Sequence, residues 1–165
     1  MSFSKKIVGN LIFNQNDGEI KHKKTEEYLA KYPVKFAIPI HLLATAESVA
    51  IDSTGTKLHT GDFTLTSEMI KHLKEAYLEV DAGTPSATDA VVEVQLYNET
   101  DGASITAVTY SGEGGHKISA DIASTLKTLA GKVLSAHIEV TTTSGTSEAT
   151  QIFRSIVLRL VYDFT

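Results

Sequence analysis

Residues 134–141 read LSAHIEVT, and their alternation decides the fold. Leu134, Ala136, Ile138 and Val140 are apolar, while Ser135, His137, Glu139 and Thr141 between them are polar. Successive side chains of an extended strand point to opposite faces, so this run predicts a strand with one face on a core and the other in water. Upstream, Val92, Val94 and Leu96 alternate with Glu93, Gln95 and Tyr97 in the same way. Val34, Phe36, Ile38, Ile40 and Leu42 form a third row, with Pro39 on the opposite parity. Proline has no ladder donor, which puts that strand at a sheet edge or on a bulge.

Downstream, the last row is the longest. Ile156, Leu158, Leu160, Tyr162 and Phe164 share one parity; Ser155, Val157, Arg159, Val161 and Asp163 share the other. The half-apolar second face predicts cover on both sides over part of its length. Chain ends usually fray, so a strand running this far is expected to be central in a sheet or held by a partner.

Three segments carry helical signals instead. Thr25–Tyr32 has Glu26 and Glu27 in its first turn and stops before Pro33. Ser67–Ala76 puts Met69, Ile70, Leu73 and Ala76 on one helical face. Ile122–Ala130 has Asp121 as N-cap, a stripe of Ile122, Leu126 and Leu129, and Gly131 to end it. Turn residues punctuate the rest at Asn16–Gly18, Ser53–Gly55, Ala82–Pro85, Thr100–Gly102 and Ser144–Thr146. Those at 16–18 and 100–102 contain Asp-Gly, a strong hairpin signal. The Thr/Ser tract at 141–147 reads as a strand end with a polar hairpin.

About eight strands at this spacing predict a mainly β fold: an antiparallel two-sheet β-sandwich of jelly-roll type with two or three short helices. We read residues 1–165 as one domain, with 1–24 as an N-terminal hairpin or arm. The 165 residues suffice to bury a core without staples, and the absence of cysteine closes disulfide and thiolate chemistry. A net charge of −5 opposes broad attraction to nucleic acid or anionic membrane, so neither is expected as a partner. Gly9 and Asn10 break the only apolar stretch near the basic start, and no cleavage site follows. We therefore expect no signal peptide and no transmembrane segment, and a soluble chain that is cytoplasmic or part of an assembled particle.

The chemistry-bearing stretch is YSGEGGHKIS, residues 110–119. A phosphate loop needs Gly-Lys-Ser/Thr after its four spacer residues and must open into a helix. With Lys117 set at the motif's lysine, His116 stands where the second glycine belongs and Ile118 where the hydroxyl belongs. Another strand pattern follows, so the stretch predicts a glycine-rich hairpin from Tyr110 to His116. Tyr110, Glu113, His116 and Lys117 still cluster an aromatic face, an acid and nitrogen donors on one loop, the candidate ligand-binding set.

Elsewhere the signals are thinner. The six histidines, His22, His41, His59, His72, His116 and His137, include no i,i+2 or i,i+4 pair, so spacing assigns no metal ligands. His41 and His137 both lie on strands, opposite the apolar parity. Glu79 with Asp81, or Glu93 with Asp163, are the carboxylate pairs a hydrolase would use. Asp81, Asp89, Glu99 and Asp101 sit near turns and could share calcium only if those turns meet. Lys21–Lys24 is a short basic run without aromatics, and Asn98–Thr100 matches a glycosylation sequon by pattern alone. No G-x-S-x-G elbow and no coherent catalytic set emerges, so no cofactor is expected. The functional expectation is a non-catalytic structural or assembly protein that self-associates as a homo-oligomer, coat-like or surface-layer-like. The alternative is a jelly-roll module for a small ligand or glycan.

Overall fold

Alternation of the kind seen at 134–141 recurs through the chain and closes into two antiparallel sheets. The computed structural model describes residues 5–8, 11–14, 19–22, 28–31 and 35–163, with side chains from Phe36 to Asp163. Four short strands come first: β1 (Lys5–Val8), β2 (Leu11–Asn14), β3 (Glu19–His22) and β4 (Tyr28–Lys31), each antiparallel to the next. The turn expected at 16–18, and the side chains of Lys21–Lys24, lie outside the described residues.

The sandwich itself is built from β5 (Lys35–Leu43), β6 (Glu47–Ala50), β7 (Gly55–Thr64), β8 (Leu73–Ala82), β9 (Val91–Asn98), β10 (Ala103–Ser111), β11 (Gly115–Ile118), β12 (Val133–Thr142) and β13 (Thr150–Asp163). One sheet runs β11-β8-β13-β5, with β6 paired to the start of β13; the other runs β10-β9-β12-β7. The pairs β9·β10, β8·β11, β7·β12 and β5·β13 nest around the turn at 99–102. One long hairpin rolled onto itself gives this order, and the two antiparallel sheets form a β-sandwich. Its core is the set of inward rows: Ala76, Leu78, Val80 and Ala82 from β8, Val92, Val94 and Leu96 from β9, Leu134, Ala136, Ile138 and Val140 from β12, and Ile156, Leu158 and Leu160 from β13.

Position within the sheets explains two features of the sequence. Pro39 lies on β5, which borders its sheet and pairs with β13 alone. The C-terminal strand β13 is held between β8 on one side and β5 with β6 on the other, so it is central.

Four local expectations are corrected. Tyr28–Lys31, inside the segment expected to be helical, is strand β4 paired to β3; residues 25–27 and 32 lie outside the described residues. At 67–76 the helix, α1 (Ser67–Ile70), stops after one turn, and Leu73 begins β8. The register of β8 against β13 skips Lys74, since Tyr162 opposes Leu73 and Val161 opposes Glu75. That bulge turns Leu73 and Ala76 to the same buried side, at a spacing of three that imitates a helix face. The second helix, α2 (Ala123–Leu126), is shorter than expected, with Ile122 as N-cap. Asp121 Oδ1 nevertheless accepts from Ala123 N at 3.0 Å and from Ala76 N at 2.9 Å, joining the helix start to β8. Lastly, the turns at 112–114 and 144–146 are not hairpins. Strands β10 and β11, and β12 and β13, lie in different sheets, so both turns cross the sandwich.

Candidate functional site

Because the chain must cross between sheets after Ser111, the glycines of YSGEGGHKIS bring two backbones together. Gly112 has φ +77°, and a Cβ there would lie 2.1 Å from Thr88 O; at Gly114 it would lie 2.4 Å from Thr84 N. Neither position admits a side chain without moving backbone of the β8–β9 connection. Tyr110 is fully buried, its ring edge-on to Phe153 at 5.9 Å. Its hydroxyl stands 2.9 Å from Val80 O and 3.0 Å from Gly115 O, so its single proton serves two carbonyls, one from each flank of the β8·β11 pair. Burial pushes the phenol pKa well up.

Glu113 and Lys117 complete this clasp. The Glu113 carboxylate accepts from Ser111 N at 2.9 Å and from the Lys117 ammonium. Lys117 Nζ also donates to Thr109 O at 2.7 Å and sits 4.8 Å from the centre of the Tyr110 ring. Lys117 thus ties β11, the border of one sheet, to β10, the border of the other. Its hydrogen bond, ahead of that from Ser111 N, holds the Glu113 carboxyl below its usual range. Gln151, buried on β13, donates to Gly83 O and Glu113 O, both at 3.0 Å. Tyr110, Glu113 and Lys117 are therefore brought into one network whose polar atoms bond to one another and to backbone. His116 is exposed on the other face of β11, opposite Asp81.

A second cluster forms on the outer face of the four-stranded sheet. Registry places His59 of β7 directly opposite His137 of β12, with Gln95 of β9 on the far side. The rings of His59 and His137 lie 4.8 Å apart, and Tyr97 stacks on His137 at 4.2 Å with an interplanar angle of 14°. Glu99, just past β9, turns its Oε1 to within 2.6 Å of His137 Nε2 and 3.5 Å of His59 Nε2. The same oxygen accepts from the hydroxyl of fully buried Ser135. Ser135, and after it His137, hold the Glu99 carboxyl below the usual range. Asp62 Oδ1 approaches His59 Nε2 to 2.6 Å. Among the described residues, His59, Glu99 and His137 are the one group of three His, Asp or Glu side chains whose ligand atoms all lie within 4.8 Å of one another.

The remaining sequence candidates are dispersed. His41 faces Val157 in the five-stranded sheet, so its strand partner is not His137. Glu79 lies 2.7 Å from Arg159 Nε, whose guanidinium sits over Tyr77, and Asp81 lies 3.4 Å from Arg154. Glu93 belongs to β9 and Asp163 to β13, in different sheets. Asp101 is engaged by Lys132 at 2.8 Å and by Asn98 at 2.7 Å, and the Lys132 bond leads in keeping its carboxyl low. Asn98 is buried, 3% exposed, so the sequon asparagine is not presented to solvent. Among the described residues no helix is long and apolar enough to cross a membrane.

No family model matches the chain, and no curated protein matches it. Among solved structures, a chain from "Structure of infectious bursal disease virus Gx strain" aligns over 99% of this chain at 12% identity and a TM-score of 0.43. The present chain spans 41% of that one.

Proposed function

We propose that this chain is a non-catalytic structural protein that self-associates through its β-sandwich, working as part of an assembled particle. The observation that carries the proposal is the border strand β5. Its inward row continues the core through Leu42, 2% exposed, yet Phe36 and Ile38 on the same row are 41% and 43% exposed. Ile38 opposes Leu160, which is buried, so this row carries a large apolar side chain that is itself exposed at the sheet border. Apolar side chains on a sheet border form a surface that pairs readily with another chain. A second copy of this chain offers the complementary row, and isologous pairing of two such borders is the commonest way to close an oligomer. The rolled wrapping adds support by fold analogy alone, since coat domains as well as lectin domains use it.

Sedimentation velocity over a wide concentration range tests this. Association should appear with rising concentration and weaken when Ile38 is replaced by glutamate. A wild-type chain that stays monomeric throughout, or an Ile38→Glu variant that associates as strongly as wild type, would overturn the proposal.

A further inference from the structure

We propose that His59, Glu99 and His137 form a binding site for a zinc-class divalent cation on the outer face of the four-stranded sheet. The donor set is the first reason. Two imidazole nitrogens and a carboxylate oxygen suit zinc and its transition-metal neighbours, whereas calcium and magnesium prefer oxygen alone. Two-histidine, one-carboxylate sets leave an open position for water or a fourth ligand.

Distance is the second reason. Zinc bonds of about 2.0–2.2 Å in a tetrahedron keep donors about 3.4 Å apart. The 3.5 Å between His59 Nε2 and Glu99 Oε1 already matches that spacing. His137 Nε2 and Glu99 Oε1, at 2.6 Å, share a hydrogen bond and need to open by less than about 1 Å once a cation replaces the proton. Asp62, 60% exposed, lies 2.6 Å from His59 Nε2 and bonds that ring from outside the three-donor group.

The third reason is the support behind the donors. His59 and His137 are fixed opposite each other by strand registry, Tyr97 sets the plane of the His137 ring, and Ser135 orients Glu99 from beneath. Such outer partners, by orienting ligands, usually contribute about 10- to 100-fold in metal affinity. The three donors come from β7, β12 and the start of the β9–β10 turn, so a bound cation would pin the border strand β7 to its sheet. This site lies on a different sheet from Phe36 and Ile38 and stands independently of the assembly reading.

The test uses the full chain, free of added histidines and stripped with a chelator. Zinc is then titrated at neutral pH in competition with a chromophoric chelator, and cobalt is added separately for its visible absorption. One equivalent of zinc should bind, cobalt should give the absorption of a low-coordinate site, and calcium and magnesium should not compete. His59→Ala and His137→Ala should each weaken zinc by more than tenfold, with Ser135→Ala intermediate and His41→Ala unchanged. His59 is 45% exposed, so its replacement leaves the fold intact, which circular dichroism verifies. No zinc uptake by the stripped chain, or uptake that neither histidine variant alters, would overturn the proposal.

Discussion

Replacing Tyr110 by phenylalanine deletes one oxygen from the centre of the sheet-to-sheet clasp and leaves everything else in place. The ring keeps its edge-on contact with Phe153, and no cavity opens beyond the volume of a hydroxyl. What is lost is the donor to Val80 O at 2.9 Å and Gly115 O at 3.0 Å, at a site with no exposure to water. A net hydrogen bond contributes about 0.5–1.5 kcal/mol, and a buried acceptor left short adds its desolvation, for a total of about 1–3 kcal/mol. In a chain of this length that corresponds to a fall in Tm of roughly 2–12 °C. Urea denaturation is the cleaner assay, because a lowered midpoint with an unchanged slope assigns the change to stability and not to the denatured state. His116→Ala, on the exposed side of the same strand, should stay within about 0.5 kcal/mol of wild type. If Tyr110→Phe were as stable as His116→Ala, the hydroxyl would not be a structural tie between the sheets.

The same clasp yields further expectations. Gly112→Ala combines a positive φ with a Cβ 2.1 Å from Thr88 O, whereas Gly145→Ala combines φ +67° with open space. The second should cost about 1–2 kcal/mol from conformation alone and the first measurably more, by thermal or urea unfolding; equal losses would deny the close approach. Because the Glu113 carboxyl is held low by Lys117, its contribution is fully present above its ordinary value and is lost as pH falls through its folded value. Wild type should therefore exceed Glu113→Gln in urea midpoint at pH 7, and the gap should narrow as pH falls below the ordinary glutamate range; a gap that widens in acid would reverse the sign. Asp121→Ala removes the acceptor shared by Ala76 N and Ala123 N and should lower stability by about 1–2 kcal/mol. Hydrogen exchange should then quicken first at Ala123 and Ala76; uniform exchange would show that Asp121 does not join α2 to β8.

Strands that alternate cleanly are legible because their two faces meet different solvents. At β9, β12 and the second half of β13 the apolar parity is buried, with Gln95 and Ser135 the buried exceptions on the other parity. Legibility fails where tertiary pairing rewrites a local period. The bulge at Lys74 gives β8 a spacing of three at its start, and a short sequence window reads that spacing as a helix. At 100–102 the Asp-Gly turn joins strands of one sheet, but nothing in the glycines of 112–115 distinguishes a turn within a sheet from a crossing between two. The His59–Glu99–His137 cluster is hidden for a related reason. Its members are far apart in sequence, and β7 offers no buried apolar row to read, since its residues are only intermediate or exposed. Two register shifts between β7 and β12 decide which side chains meet, and registry is a property of the pair, not of either strand.

The resemblance of YSGEGGHKIS to a phosphate loop has a physical origin. A phosphate cradled by backbone N–H groups, and a second backbone passing at hydrogen-bonding distance, place the same demand on a chain: there is no room for a Cβ at the point of approach. In this fold the approaching group is the 83–88 connection, which lies against Gly112 and Gly114. The lysine that follows does for the sandwich what it would do for a nucleotide, carrying a positive charge onto oxygens: Thr109 O and the Glu113 carboxylate in place of phosphate. Its charge is thereby engaged within the fold, as are the Glu113 carboxylate and the Tyr110 hydroxyl. The His59–Glu99–His137 cluster differs in kind. Its three donors face one another across the outer sheet surface, so a cation entering there would replace protons, not backbone.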